Sequence, residues 1–177
     1  MDQEIIEEEE AIAAERAAEA ARLGVDMLNQ SIREVATMKP AVCVAPDMPV
    51  RAAIERMKEK GVGCVLVQRD TKLVGILTER DVLVRVAGTG VDLDRTPVEA
   101  VMTADPESLS PDDRVSYALN KMTVGGFRHI PLVDDNDRPV GIVSMRNVVN
   151  YVVDVFRVEV LNLPPSPRLA ARAREGA

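Results

Sequence analysis

The stretches GILTERD (residues 75–81) and GIVSMRN (residues 141–147) share one pattern and begin 66 positions apart. Each consists of a glycine, two aliphatic residues, a hydroxyl residue, two variable positions and finally Asp or Asn. Similarity at a fixed spacing indicates an internal repeat, in which each copy is one supersecondary unit. The chain therefore contains two copies of one unit, each roughly 60 residues long and too small to bury a good core alone.

The segments around the two stretches have the same order of hydrophobic patterns. Apolar residues first recur at the helical spacing i, i+3, i+4 and i+7. They are Val50, Ala53, Ile54 and Met57 in the first copy, and Val115, Ala118, Leu119 and Met122 in the second. Apolar runs then predict buried strands at 62–67, 73–77, 129–133 and 139–143. A short strand before each first helix (42–44, 107–109) and a second helix after each stretch complete a β-α-β-β-α unit.

Outside the repeat, the chain has an acidic beginning and a basic end. Residues 1–30 contain nine acidic and two basic residues, which accounts for the whole net charge of −7. Their Glu- and Ala-rich composition predicts a solvated helix that ends at Gly24. We therefore expect an acidic helical extension (1–30), a first repeat (31–93), a second repeat (94–158) and a Pro-containing basic tail (159–177).

The composition narrows the class of protein. Aromatic residues make up only 2% of the chain, so the core is aliphatic. No apolar run approaches the ~20 residues of a membrane span, and the acidic N-terminus is unlike a signal peptide. The repeats are formally neutral, which disfavours a nucleic-acid-binding surface. Cys43 and Cys64 lie in apolar runs, as reduced core thiols do, so we expect a cytoplasmic protein without membrane or nucleic-acid partners.

The repeated stretch has two chemical interpretations. Thr78 with Asp81, and Ser144 with Asn147, have the spacing of a helix N-cap and its N3 partner. This structural role alone explains the hydroxyl and the Asp or Asn. However, a glycine in a buried strand often marks close approach of another group. A helix N-terminus with a hydroxyl also suits a phosphate, and a carboxylate one turn later suits ribose hydroxyls.

Each copy of the unit is closed by G-h-h-[ST]-x-x-[DN] (h, aliphatic), and the second copy includes the segment RHIPLV (128–133). With these motifs, the duplicated unit resembles a tandem pair of CBS domains. The resemblance covers residues 31–157 and implies an α/β (α+β) fold. In this fold two β-α-β-β-α repeats pack as a pseudo-twofold pair, with a cleft for an adenosine-type ligand on each side. The resemblance also implies residues for each cleft. The first cleft would contain Ile76, Thr78, Asp81, Met102, Arg128 and His129; the second would contain Thr37, Val42, Val62, Gly63, Ile142, Ser144 and Asn147.

The two clefts differ in their polar groups. The first has a carboxylate, an arginine suited to phosphate and the only histidine of the chain, where the second has Asn147, Val62 and Gly63. We therefore expect the first cleft to be the better nucleotide site. His129 alone is equally consistent with a structural role. Arg80 and Arg146 lie within the two stretches, where they can reach a phosphate or remain in solvent.

These features favour a regulatory module that binds an adenosine-containing small molecule. The ligand would be AMP, ADP or ATP, or else NAD(P) or S-adenosylmethionine, with no catalytic cofactor and no metal site. Helices as apolar as the one after Ser144 need burial, and CBS pairs commonly form homodimers. An effector protein is a further expected partner. The alternative is a ligand-free dimerisation scaffold; an enzyme is disfavoured, since the sequence has no P-loop, HExxH or Cys–His constellation.

Overall fold

The computed structural model describes residues 2–35 and 40–156. The helices are α1 (Asp2–Asn29), α2 (Ile32–Val35), α3 (Val50–Lys60), α4 (Glu79–Asp81), α5 (Val115–Gly125) and α6 (Met145–Val155). The strands are β1 (Cys43–Val44), β2 (Cys64–Arg69), β3 (Lys72–Thr78), β4 (Thr103–Ala104), β5 (His129–Val133) and β6 (Pro139–Ser144). The predicted tail at 159–177 lies outside the described residues.

The two repeated units have the predicted α/β architecture. In the first, β1 is parallel to β2, and β2 is antiparallel to β3. In the second, β5 and β6 form the corresponding antiparallel pair. Strand β4 comes from the beginning of the second repeat, yet it pairs with β3 and completes a four-stranded sheet in the first unit. The two units are therefore joined by backbone hydrogen bonds as well as by side-chain contacts.

The predicted strand at 107–109 is wrong. Only Leu109 pairs there, as an isolated parallel bridge to Leu132. Its N–H donates to Pro131 O (3.1 Å) and its carbonyl accepts from Val133 N (2.9 Å). Pairing stops because Ser110 N donates to the Asp113 carboxylate and Pro111 has no N–H to donate.

The acidic helix is longer than predicted. Helix α1 continues through Gly24 to Asn29. A glycine inside a helix costs only about 1 kcal/mol, which tertiary contacts can offset. Such contacts exist at this end, where Asn29 Oδ1 accepts a hydrogen bond from Arg114, the residue that precedes α5 (3.1 Å). The extension is therefore attached to the second unit.

The helices that follow the two stretches differ in form. After β3, the short helix α4 continues as a π-helix, Val82–Val86, which closes with a bond from Ala87 N to Val82 O (2.9 Å). After β6, α6 is a regular helix despite its many β-branched residues. Gly88 follows the first helix with a φ of 73°, the left-handed conformation typical of a residue just after a helix end. Burial of one face outweighs the strand propensity of the valines in α6.

Each unit receives a core residue from the beginning of the other repeat. Ile32 of α2 lies at the beginning of the first repeat but is fully buried in the core of the second unit. Its N–H donates to Asp113 O (2.8 Å), and Val115 N donates to Gln30 O (2.9 Å). Val98 is its counterpart, fully buried in the core of the first unit with its N–H on Met48 O (2.9 Å). Neither core is complete without the other half of the chain.

A third cluster of buried side chains joins the two units. It contains Cys64, Leu66 and Ile76 of the first unit, and Ile142 of the second packs against it. These side chains lie on the strands that carry the repeated stretches and on their neighbour β2. The two stretches are therefore held beside the interface between the units.

Candidate functional site

The first predicted cleft is a cavity of about 400 Å³ between the units, which we call the Asp81 cavity. Its lining includes Ile76, Thr78, Asp81, Arg128 and His129 from the predicted set. The remaining lining residues are Gly63, Glu79, Arg80, Thr103, Asp105, Pro106, Glu107, Gly125, Gly126 and Phe127. Residues from distant parts of the sequence therefore meet at one cavity, as the resemblance implies.

Met102 is the predicted residue that this cavity does not contain. Its side chain packs in the apolar core of the first unit and lies against Gly75. A Cβ at Gly75 would overlap Met102 Sδ, so this glycine makes room for a core methionine. The close approach predicted for Gly75 is therefore made by a protein side chain.

The second predicted cleft is a cavity of about 1070 Å³, which we call the Asn147 cavity. Val42, Val62, Gly63, Ile142, Ser144 and Asn147 of the predicted set line it. Thr37, the seventh, lies outside the described residues. Further lining residues are Pro40, Ala41, Ile54, Met57, Lys58, Gly61, Cys64, Glu79, Val82, Arg128, His129, Met145, Arg146, Val149 and Asn150.

Asp81 is held by a hydrogen-bonded network at the start of α4. Its Oδ2 accepts from the N–H and the hydroxyl of Thr78, at 2.9 and 2.6 Å. Its Oδ1 accepts from Thr103 Oγ1 at 3.2 Å and lies 3.5 Å from Arg85 Nη1. Both acceptor sites of Oδ2 are thus used, whereas the contacts to Oδ1 are long. Oδ1 is the oxygen with capacity left for a ligand hydroxyl.

Ser144 and Asn147 form the same capping box at the start of α6. Asn147 Oδ1 accepts from the N–H and the hydroxyl of Ser144, at 2.9 and 2.6 Å. An amide oxygen thus replaces the carboxylate oxygen without loss of the cap. The two interpretations of the stretch are therefore compatible, since the capping box itself holds each side chain at the cavity.

Thr103 is a site residue that the sequence analysis missed. It lines the Asp81 cavity and donates to Asp81, although it lies in β4, before the second repeat's first helix. The signal was present in the sequence, because Thr103 follows Thr37 by the repeat spacing of 66. Of these two equivalent threonines, only Thr37 was predicted as a site residue, in the second cleft.

Four residues form a wall common to both cavities: Gly63, Glu79, Arg128 and His129. A Cβ at Gly63 would lie 3.3 Å from His129 Nε2 and 3.4 Å from Glu79 Oε2, so this glycine permits a close approach. Burial lowers the pKa of His129, the charge of Arg128 lowers it further, and Glu79 opposes both effects. The neutral imidazole is therefore favoured in the folded protein.

This lowered pKa predicts a loss of stability in mild acid. The unfolded chain takes up the His129 proton near pH 6.5, before the folded protein does. The stability that the folded protein has with a neutral His129 is thus complete above that pH. It is lost as the pH falls through the folded-state pKa. We expect urea midpoints measured from pH 7.5 to 5 to fall in the wild type and to fall less in His129→Gln. Equal slopes would contradict a neutral His129, since carboxylates such as Asp134 titrate at lower pH.

The arginines within the two stretches have different surroundings. Arg80 Nη1 donates to Gly126 O across the Asp81 cavity, at 3.2 Å. Gly126 ends α5 with a φ of 68°, the left-handed conformation that favours glycine at a helix end. Arg146 is exposed at the Asn147 cavity and makes no ion pair within 2–35 and 40–156. Arg80 therefore links the two units, whereas Arg146 is available to meet a ligand.

The remaining reactive groups are few in the described part of the chain. Burial and the neighbouring Glu79 raise the pKa of the Cys64 thiol to about 12, so it stays protonated. No group of three or more His, Cys, Asp or Glu side chains is placed to hold a metal within the ranges 2–35 and 40–156. In those ranges, no helix has both the length and the apolarity to span a bilayer.

Two interlocked β-α-β-β-α units, with a polar cavity at the end of each repeated stretch, define a tandem-repeat module. The family model for the CBS domain matches residues 32–88 and 98–154. The chain belongs to the CBS domain family. The matched segments fall within the two predicted repeats.

Individual proteins show the same relationship. A 17.7 kDa protein from Acidianus ambivalens is 34% identical over 129 residues, which cover 72% of this chain and 76% of that protein. A CBS-domain protein from Agrobacterium tumefaciens has a similar structure, with 29% identity, a TM-score of 0.62 and coverage of 68% and 98%. A CBS domain protein from Pyrobaculum aerophilum, solved with AMP, shares the fold at 22% identity and a TM-score of 0.63, with coverage of 72% and 98%.

Proposed function

We propose that this protein is a regulatory module that binds adenosine compounds between its two units and responds by a change in conformation or assembly. The observation that carries the proposal is the pair of capping boxes, each of which fixes an acceptor side chain at a cavity between the units. The AMP in the Pyrobaculum aerophilum protein, which has the same fold, supports an adenosine ligand.

In the Asp81 cavity, the ribose would bind at Asp81 Oδ1 and the base against Ile76. Arg128 and His129 would meet a phosphate, the first by charge and the second as a neutral donor. The Thr78 hydroxyl already donates to Asp81, so it reaches a phosphate only by exchanging that bond. We propose this cavity as the better site for the adenosine part, because it combines a fixed carboxylate with a small volume.

In the Asn147 cavity, Asn147 and Ser144 take the corresponding places. Ile142, Val42 and Val62 supply apolar walls for the base, and Gly63 allows close approach. The amide oxygen of Asn147 can accept a hydrogen bond from a ribose hydroxyl, but the amide is uncharged. Its hydrogen bond is therefore weaker than that of a carboxylate. We propose that Thr37 contributes here as Thr103 does in the Asp81 cavity.

Binding becomes a signal only when the ligand prefers one of two states. Each cavity takes residues from both units, so a ligand can favour one relative position of the units over another. The exchange of Ile32 and Val98 between the cores would transmit this change to α1 and to a bound effector protein. No catalytic role is proposed, because the polar groups at the cavities serve the caps and the recognition of a ligand.

Isothermal titration of the full chain with AMP, ADP, ATP, NAD and S-adenosylmethionine tests the proposed function. We expect saturable binding of at least one of them, and no binding of the same compound's guanosine analogue. Failure of every adenosine compound to bind at millimolar concentration would favour the alternative, a ligand-free dimerisation scaffold.

We propose a homodimer through the helices that follow the two stretches. Leu83 and Val149 occupy equivalent repeat positions and are 69% and 52% exposed, respectively. Burying two such side chains per subunit is favourable by about 1.5–3 kcal/mol for each one fully buried. We expect light scattering to give a dimer mass for the wild type and a monomer mass for Leu83→Glu/Val149→Glu. Arg95→Glu, at a side chain 89% exposed, is the control that should remain dimeric; a dimeric double variant would place the interface elsewhere.

A further inference from the structure

We propose that the two cavities select adenosine compounds by charge. The Asp81 cavity takes compounds with at most one phosphate, and the Asn147 cavity takes those with two or three. This inference rests on the proposed function, and it assigns a ligand class to each cavity.

The charged groups at the Asn147 cavity are mainly basic. Lys58, Arg128 and Arg146 line it, with Glu79 as the acidic lining residue. All three basic side chains are exposed, and none makes an ion pair within the described ranges. Their charges are therefore available to a polyphosphate, which needs several cations at once.

The charged groups at the Asp81 cavity balance one another. The acidic lining residues are Glu79, Asp81, Asp105 and Glu107, and the basic ones are Arg80 and Arg128. Behind the lining, Arg85 contacts Asp81, and Lys121 pairs with Glu107. Acids and bases are thus equal in number once these two partners are included. A chain of phosphates in this cavity would therefore meet carboxylates as well as arginines.

The difference is present in the repeat itself. At positions 66 residues apart, Asp81 corresponds to Asn147, Glu107 to Ala41, and Val124 to Lys58. Each of these three differences makes the Asn147 side more positive than the Asp81 side. Arg80 and Arg146 correspond to each other, and Arg128 and Glu79 belong to both cavities. The charged residues that both sides share therefore do not distinguish the two cavities. The three differences do, and each of them makes the Asn147 cavity more positive.

The sizes of the cavities agree with this assignment. The Asp81 cavity has a volume of about 400 Å³, near the small end of the ligand-pocket range. The Asn147 cavity has about 1070 Å³, at the large end. A nucleoside with one phosphate suits the smaller cavity, and two further phosphates need the space of the larger one.

The test compares two variants, one for each cavity, in which lysine or arginine is replaced by a neutral residue. Lys58→Gln/Arg146→Gln changes the Asn147 cavity, and Arg80→Gln changes the Asp81 cavity at the position that matches Arg146. Dissociation constants for AMP and ATP are measured by titration calorimetry on the full chain. Mg²⁺ is left out, because it would cancel part of the ATP charge.

We expect Lys58→Gln/Arg146→Gln to weaken ATP binding by about tenfold or more, as loss of charge-assisted contacts does, and to change AMP binding by less than about threefold. Arg80→Gln should weaken AMP more than ATP. ATP binding should also fall more steeply with salt than AMP binding.

Equal losses for AMP and ATP in both variants, or a loss of ATP that follows Arg80→Gln, would overturn the assignment by charge while the adenosine-binding function stands. If neither AMP nor ATP binds to the wild type but an uncharged adenosine compound does, the Asn147 assignment is wrong. If no adenosine compound binds, the proposed function itself is wrong.

Discussion

Replacing Asp81 with alanine is expected to abolish stabilisation by an adenosine ligand at the Asp81 cavity. In the wild type, a ligand at 100 times its dissociation constant should raise the free energy of unfolding by about 2.7 kcal/mol. The substitution removes the proposed ribose acceptor and the Asp81 side-chain half of the capping box at the start of α4, whereas Thr78 Oγ1 can still accept from the N–H of residue 81. The unliganded protein should therefore lose about 1 kcal/mol or less, the typical contribution of a complete cap. Thermal melts with and without ligand measure both effects.

Asp81→Asn separates recognition from capping. Asn147 makes the same cap in the second repeat, with a 2.6 Å bond from Ser144, so the amide introduced at position 81 should preserve the start of α4. The charge-assisted bond to ribose would still be lost, and we expect affinity to fall by about tenfold or more. A ligand shift of wild-type size in both variants would show that Asp81 has only the capping role.

Replacing Ile32 with alanine is expected to destabilise the second unit, although Ile32 lies at the beginning of the first repeat in the sequence. The side chain is fully buried among residues of that unit, including Val115, Ile130 and Val148. Removal of a buried isoleucine typically costs about 2–5 kcal/mol, which is a large part of the stability of a small protein. Urea unfolding measures the total loss. Hydrogen exchange should place the greatest loss of protection in β5 and β6.

Ile12→Ala is the matched control for this prediction. Ile12 is also an N-terminal isoleucine, but its side chain on α1 is 45% exposed. Its removal should change the free energy of unfolding by about 0.5 kcal/mol or less. Similar losses for both variants, or exchange that increases mainly in β2 and β3, would contradict the exchange of core residues between the units.

The sequence predicted the repeated units because their signals are local. Helical spacing at Val50 and Val115 and apolar runs on either side of polar turns correspond to helices α3 and α5 and strands β2, β3, β5 and β6. The repeat also predicted α6 correctly where propensity favoured a strand. Comparison of two copies thus supplied information that a single unit lacks.

The errors concern packing between segments that are far apart in sequence. No local pattern shows that Ile32 enters the second core, that Gly75 accommodates Met102, or that Leu109 forms only one bridge. The helix end at Gly24 was wrong for a similar reason, because Arg114, next to α5, contacts the last turn of α1. The positions of the two capping boxes were predicted more accurately than the packing, since both boxes lie within the repeated stretches.

The duplication gives each unit a complete core and each cavity a second wall. Ile32 and Val98 complete the two cores, and Arg128 and Gly63 line both cavities. Departures from the repeat then make the two cavities unequal. One fold can thus hold two related but different cavities, which we propose as adenosine sites.

We propose above that adenosine compounds bind at the two capping boxes. The most direct test is a titration followed by ¹⁵N–¹H correlation spectra of the full chain, first with AMP and then with ATP. We expect saturable shifts of the amides of 78–81 with AMP and of 144–147 with ATP. Shifts confined to surfaces away from both stretches, or no shifts at millimolar ligand, would rule out binding at the capping boxes.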